Sequence, residues 1–216
     1  MTEQTNKPSA SLWVFFGLTV VWFLLLIALW MQVSQWVTYP AGKIAQIALD
    51  HWADFWINSI NLKPGVLEAK AVWSTMAANQ EGVRVISEVN ASAKTDHFGY
   101  GFPLLLALLL ASRSKKFFKR AILGYCILQF PQAWSIAFEL LRNILMAPKA
   151  AAGLQVGHWE MQGVYLAFQI GSYLVPTLVP VGLWLWFERR FFAAVVLDGW
   201  LNHVVKRMPQ DGSDKS

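Results

Sequence analysis

LWVFFGLTVVWFLLLIALWMQV, from Leu12 to Val33, is a run of 22 residues without a charge. A helix needs about 20 predominantly apolar residues to cross the hydrocarbon core of a bilayer. A secretory signal is the competing reading, but its apolar region is usually only about 7–15 residues long. No small-x-small cleavage pattern follows, since the exit reads Trp30-Met31-Gln32-Val33-Ser34-Gln35-Trp36. The run reads as an uncleaved anchor.

The rest of the chain agrees. Of its 216 residues 56% are hydrophobic and only 14% charged, and the mean hydropathy is +0.39. Soluble domains average about 25% charged residues, so the deficit of charge is the stronger signal. Twelve Trp and fourteen Phe suit a chain that meets both lipid and water. A disordered chain, a coiled coil and a disulfide scaffold are excluded. An integral membrane protein remains, and the net charge of +5 is first a topology signal.

Three more apolar runs follow. Phe98–Ser112 is short at 15 residues and needs flanking residues or local thinning to span. The next begins at Ala121, runs to about Leu141 with its span taken to residue 145, and carries Pro131. The last, Gly163–Phe187, has 25 uncharged residues with Pro176 and Pro180. The expected fold is therefore an α-helical integral membrane protein with four transmembrane helices, at 12–33, 98–112, 121–145 and 163–187. A small helix-plus-β-hairpin insertion lies between the first and second.

Orientation follows from the Lys/Arg bias. Residues 113–120 hold Arg113, Lys115, Lys116, Lys119 and Arg120 and no acid. Arg189 and Arg190 close the last run. Residues 34–97 hold five basic and six acidic side chains. The basic loop, the N-terminus (1–11) and the C-terminal segment (188–216) are expected in the cytoplasm, with 34–97 and 146–162 outside. Anionic lipid at the cytoplasmic face is the expected company of the basic loop; nucleic acid is not.

Within 34–97, Ala41 to Ile60 has helical period. Ile44, Ile47, Ala48, His51, Trp52, Phe55 and Trp56 share one face, fit for the membrane surface, a small sheet or a partner. Pro64-Gly65 breaks the pattern. Val66–Ala77 and Val83–Asn90, separated by Ala78-Asn79-Gln80-Glu81-Gly82, read as a hairpin. A lone hairpin needs cover, which makes the segment a candidate docking surface. Asn90-Ala91-Ser92 matches a glycosylation acceptor and carries little weight. The tail from Phe191 to Arg207 reads as an interfacial helix, and the composition turns polar after Met208.

The chemistry-bearing residues are few. Cys126 lies in the third span, and no internal disulfide is open to a single thiol. None of His51, His97, His158 or His203 lies in a span. Gln129, Pro131, Gln132 and Trp134 sit mid-span, with Glu139 and Arg142 at i, i+3 where they can pair. An ionisable residue in a span is a functional candidate by default; inter-helix glue is the plainer reading for the glutamines. In the fourth span Gln169, Gly171 and Ser172 precede the two prolines, which predict a bend or an unwound turn. No metal-ligand spacing and no Gly-rich phosphate loop occurs, so no metal and no cofactor is expected.

Three segments carry a resemblance: Tyr100-Gly101-Phe102-Pro103-Leu104-Leu105-Leu106-Ala107, Gln132-Ala133-Trp134-Ser135-Ile136-Ala137-Phe138-Glu139-Leu140-Leu141, and Tyr173-Leu174-Val175-Pro176-Thr177-Leu178-Val179-Pro180-Val181-Gly182-Leu183-Trp184. Together, over roughly 98–192, the chain resembles the bacterial exosortase H-associated membrane proteins, which accompany an exosortase in the inner membrane. Exosortases are membrane cysteine transpeptidases that process C-terminal sorting tails. Cys126 lies in Gly-Tyr-Cys-Ile-Leu, without the polar cysteine neighbourhood or the downstream Arg and His of those enzymes. The resemblance therefore implies a non-catalytic accessory whose partner is a membrane protein, an exosortase foremost. Candidate partner-binding residues are Trp52, Phe55, Trp56, Gln132, Trp134, Glu139, Arg142, Gln169, Pro176 and Pro180. The rivals are an intramembrane enzyme using Glu139, Arg142 or Cys126, and a small transporter subunit built on the fourth span.

Overall fold

The computed structural model describes residues 12–53, 57–76, 84–147, 157–189 and 193. Helix α1 is Leu12–Val37, and most of its apolar side chains, Val20, Val21, Leu24, Leu25 and Leu29 among them, are exposed. Such a surface is stable only against lipid or a partner. After α2 (Tyr39–Trp52) come strands β1 (Ser59–Lys63), β2 (Val66–Met76) and β3 (Arg84–Lys94). A 3-10 turn at Asp96–Phe98 leads to α3 (Gly101–Ala111), then α4 (Phe117–Leu145). Helix α5 (His158–Gln169) passes through a π-helical turn at Ile170–Leu174 directly into α6 (Val175–Phe187).

Three helices are long and apolar enough to cross a membrane: α1, α4 and the continuous α5–π–α6 rod. The run at 98–112 forms only the 11-residue α3, about 16 Å long, so the expected four full spans reduce to three candidates and a shorter apolar helix. Burial explains how α3 can be short. Leu105, Ala107 and Leu109 are fully enclosed, and an apolar run of 10–14 residues is commonly a core helix rather than a span.

One end of the bundle is fixed by three contacts. Phe15 of α1 stacks on Trp184 of α6 with centroids 5.3 Å apart. The Trp184 indole donates to Ser112 Oγ at 3.3 Å, and Arg120 pairs with Glu188. The start of α1, the basic loop and the exit of α6 therefore share one end. Leu105, Leu108, Leu109, Leu128, Leu183 and Trp184 form the core there.

At the other end the sheet packs on α2 and the last half of α4. The order is β1-β2-β3, antiparallel throughout. This corrects the helix-plus-hairpin expectation: the helix stops at Trp52, and Ser59–Lys63 is a third strand. Asn58 N donates to Lys70 O at 2.9 Å, and the turn between β1 and β2 is Pro64-Gly65. Gly65 has φ 83, the left-handed value that the second turn position requires after a proline. The break read from sequence is thus a hairpin turn, and the strand before it was masked by the apolar helical period of 44–56. Alternation is clear in the sheet: Leu67, Ala69 and Ala71 face inward with Ala91 and Ala93 beside them, while Glu68, Lys70 and Glu88 face out.

Helix α2 packs chiefly through its small residues, with Ile44 of the apolar stripe beside them. Ala41, Gly42, Ala45 and Leu49 are buried, whereas Ile47 is 59% and Trp52 80% exposed. Small residues let backbones approach closely, so they win the contact. A Cβ on Gly42 would stand 2.8 Å from Leu62 Cδ1. Phe55, Trp56 and the expected helix at 191–207 (Ala193 excepted) lie outside the described residues.

Candidate functional site

The site is built on α4. Gln132, Ser135, Glu139 and Arg142 follow at i, i+3, i+7 and i+10 and so share one side of the helix. Gln132 and Ser135 are buried, as is Gln129 one turn earlier. Oε1 of Gln129, Oε1 of Gln132, Oε2 of Glu139, Nε of Arg142, Oγ of Ser172 and Oδ1 of Asp96 are buried without a hydrogen-bond partner among the described residues. Each such atom is destabilising by about 1–3 kcal/mol when left unmade. All but Asp96 lie on α4 or the π-turn, and Asp96 sits in electrostatic reach of Glu139.

The π-turn has a local cause. The Val175 N–H reaches back to Ile170 O, a five-residue step. The next step would ask Pro176 to donate to Gly171 O, and proline has no N–H. Ser135 of α4 supplies the donor instead, with Oγ 2.8 Å from Gly171 O and also 2.9 Å from Pro131 O. The π-turn before Pro176 is the one local widening of an otherwise continuous rod. Pro176 and Pro180 are buried against α3, where a Cβ on Gly101 would meet Pro176 O at 2.8 Å and Pro180 Cγ at 2.9 Å.

Toward the sheet, Glu139 lies within electrostatic reach of His97, Arg142, Asp96 and Lys94. Glu139 and Arg142 do not close the ion pair that their spacing allows. The guanidinium lies 4.0 Å over the Phe168 ring of α5, and one nitrogen donates to Asn143 Oδ1 at 3.0 Å. Asn143 Nδ2 then donates to Ser92 O of β3 at 2.8 Å. Side chains lean toward the helix N-terminus, which takes Arg142 down onto Phe168. Glu139 and Arg142 thus lie within electrostatic reach of each other, with Oε2 of one and Nε of the other unbonded among the described residues.

The opposite side of α4 is apolar. Between α2 and α4 lies a cavity of 580 Å³ lined by Ile44, Ala45, Ala48, Leu49, Trp52, Ala53, Phe130, Ala133, Trp134, Ala137, Phe138 and Leu141. A second, of 520 Å³, lies between α4 and the α5–π–α6 rod and shares Phe130 and Trp134 as its wall.

The structure thus brings Gln132, Glu139 and Arg142 to one seam, and Trp52 and Trp134 to one groove. Gln169 is exposed, and Pro176 and Pro180 serve α3. Arg113, Lys115, Lys116 and Lys119 are exposed, while Arg120 is tied to Glu188 and Ser114. Cys126 is exposed on α4, some 20 Å from Glu139 at 1.5 Å per residue. Among the described residues no group of His, Cys, Asp and Glu could hold a metal ion. Ser135, Asn143, Asp96 and Phe168 were not singled out from sequence. The Gln132–Ser135–Glu139 spacing was the available signal for the first, and Asn143 adjoins Arg142 in sequence; Asp96 and Phe168 join only through the fold.

Over residues 9–191 the chain matches the family described as exosortase H-associated membrane protein. The match takes in α1, α2 and the sheet as well as the helices that carry the resemblance read from sequence. No curated protein and no solved structure matches.

Proposed function

We propose, because the chain belongs to the exosortase H-associated membrane protein family, that it is a non-catalytic accessory binding a membrane partner, the exosortase of its system. The carrying observation is the Glu139–Arg142 seam, whose buried polar atoms have no partner within the described residues. In a membrane interior such groups normally face a bundle interior or a water-filled cavity and pair there. Glu139 and Arg142 are only half-buried as residues, so a partner would meet their accessible atoms, while the enclosed ones suit ordered water. The sheet and α2, packed beside the seam, would widen the contact.

The supporting topology is a bacterial inner-membrane protein with the basic loop and both termini in the cytoplasm and the sheet outside. It rests on the Lys/Arg bias and on the shared end of Phe15, Arg120 and Glu188. A thiol mechanism gains no support, since a reactive cysteine needs a base and a polar pocket, and Cys126 is exposed on a spanning helix. The unbroken α5–π–α6 rod likewise favours packing over a transport site.

Gentle-detergent co-purification with the co-expressed exosortase tests the reading. Wild type and Cys126→Ser should retain the partner equally. Glu139→Gln should lower retention about tenfold or more, the scale of truncating one buried polar contact. Equal retention by Glu139→Gln, or loss of system function with Cys126→Ser, would overturn it.

A further inference from the structure

The rod from His158 to Phe187 is held firmly at one end and lightly at the other. Its α6 half buries Pro176, Pro180, Leu183 and Trp184 and packs on both α3 and α4. Its α5 half buries no residue. Only Val164, Ala167 and Phe168 are half-buried there, an inner face at i, i+3 and i+4 that packs on α4. The π-turn at Ile170–Leu174 stands where the fixed half meets the loose one. We propose that α5 is a gate over the polar seam, swinging on the π-turn. The gate rests on the reading that the seam binds the membrane partner, and it governs when the seam can do so.

The π-turn is suited to be a joint because its own chain does not close it. Gly171 O gets no bond from Pro176, which has no N–H. Its one donor among the described residues is Ser135 Oγ at 2.8 Å, and the single hydroxyl proton is shared with Pro131 O at 2.9 Å. Hinges are commonly a few residues between rigid elements that absorb the backbone change, and π-turns recur at functional sites. Beyond the joint, α5 is tied to the seam by Phe168, whose ring lies 4.0 Å under the Arg142 guanidinium. Arg142 Nε and Ser172 Oγ are enclosed and unbonded among the described residues, so a partner reaches neither while α5 is in place. Swinging α5 outward withdraws the ring and bares the guanidinium, a planar fork of donors for a partner's carboxylate or carbonyl oxygen. The partner then binds the open form better than the closed one, which is what shifts the population.

The test uses the full chain in a Cys126→Ser background, mixed in detergent with separately purified exosortase. Phe130 and Ala167 line opposite walls of the groove between α4 and α5 and lie outside the seam. With Phe130→Cys and Ala167→Cys, a short bis-thiosulfonate reagent holds α5 on α4 and reductant frees it. The locked chain should capture about tenfold less exosortase than the same chain after reduction, since apparent affinity falls with the open fraction. Spin labels at Trp159→Cys on α5 or Trp186→Cys on α6, each paired with one at Lys63→Cys, give a second reading; all three positions are exposed. Adding exosortase should shift the 159–63 distance and leave the 186–63 distance unchanged. These labels decide the matter if the cross-linking pair fails to fold. Equal capture by locked and reduced chains, a fixed 159–63 distance, or equal shifts in both distances overturns the gate. If Glu139→Gln loses exosortase while the locked chain keeps it, the gate alone falls and the seam reading stands. If Glu139→Gln captures as wild type does, the seam reading falls and the gate with it.

Discussion

The two ends of the bundle are packed in different currencies of size. At the basic-loop end the core is Leu105, Leu108, Leu109, Leu128, Leu183 and Trp184, large side chains that interdigitate. At the sheet end nine of the seventeen buried residues are alanines, Ala41, Ala45, Ala69 and Ala133 among them, and the other eight are larger, such as Leu67, Ile136 and Leu140. Alanine lets α2, the sheet and α4 come close, but it fills little volume, and the apolar cavity beside α2 lies there. The polar atoms without partners are drawn from this half and its border as well. Volume and hydrogen bonding are both spent at the first end and both left over at the second. The first is scaffold, and the second carries the candidate sites.

The comparison can be broken most directly at Leu109, which is fully buried. Leu109→Ala should lower stability by about 2–5 kcal/mol, read as thermal unfolding in detergent by circular dichroism. A loss below 1 kcal/mol would mean that the leucine core is slack too. Next comes Gly101→Ala, which pushes a methyl against the Pro176 carbonyl at 2.8 Å. Overpacking of this kind should be destabilising by about 1–3 kcal/mol, and an unchanged melt would show that α3 and α6 separate easily. Ser135→Ala sharpens the border between the halves. It strips the donor from Gly171 O and should cost about 0.6–1.7 kcal/mol, the measured range for such bonds between membrane helices. Glu139→Gln should have the smallest effect on the melt, within about 0.5 kcal/mol, because no described group accepts or donates to its Oε2. A large loss would move Glu139 from the binding surface into the scaffold.

Much of the scaffold was legible in the residues. Leu12–Val33 needed only its length and lack of charge to read as a helix, and Pro64-Gly65 marked a turn by its own backbone limits. The β2–β3 hairpin followed from loop residues between two apolar runs. What escaped was the outcome of competition. The stripe of Ile44, Ile47 and Trp52 was open to the membrane surface, a sheet or a partner. Ala41, Ala45 and Leu49 take the core contact with Ile44 packed beside them, and Ile47 and Trp52 stay exposed. Strand β1 was legible: Ser59-Ile60-Asn61-Leu62-Lys63 alternates polar and apolar, the period of a half-buried strand, but the helical reading of the preceding residues runs on to Ile60 and covers it.

Membrane insertion, the run boundaries and the charge asymmetry were determined by the sequence alone, because each depends on composition within about 20 consecutive residues. Whether Phe98–Ser112 spans was not, since a buried helix and a lipid-facing one differ in their neighbours and not in their letters. The same holds for the seam. Glu139 and Arg142 sit three apart in any reading, yet Phe168, Asn143 and Ser92 decide that they leave each other unpaired. Asn143 is Arg142's own neighbour on α4, but Phe168 and Ser92 come from α5 and β3, and only the tertiary fold brings those two to it.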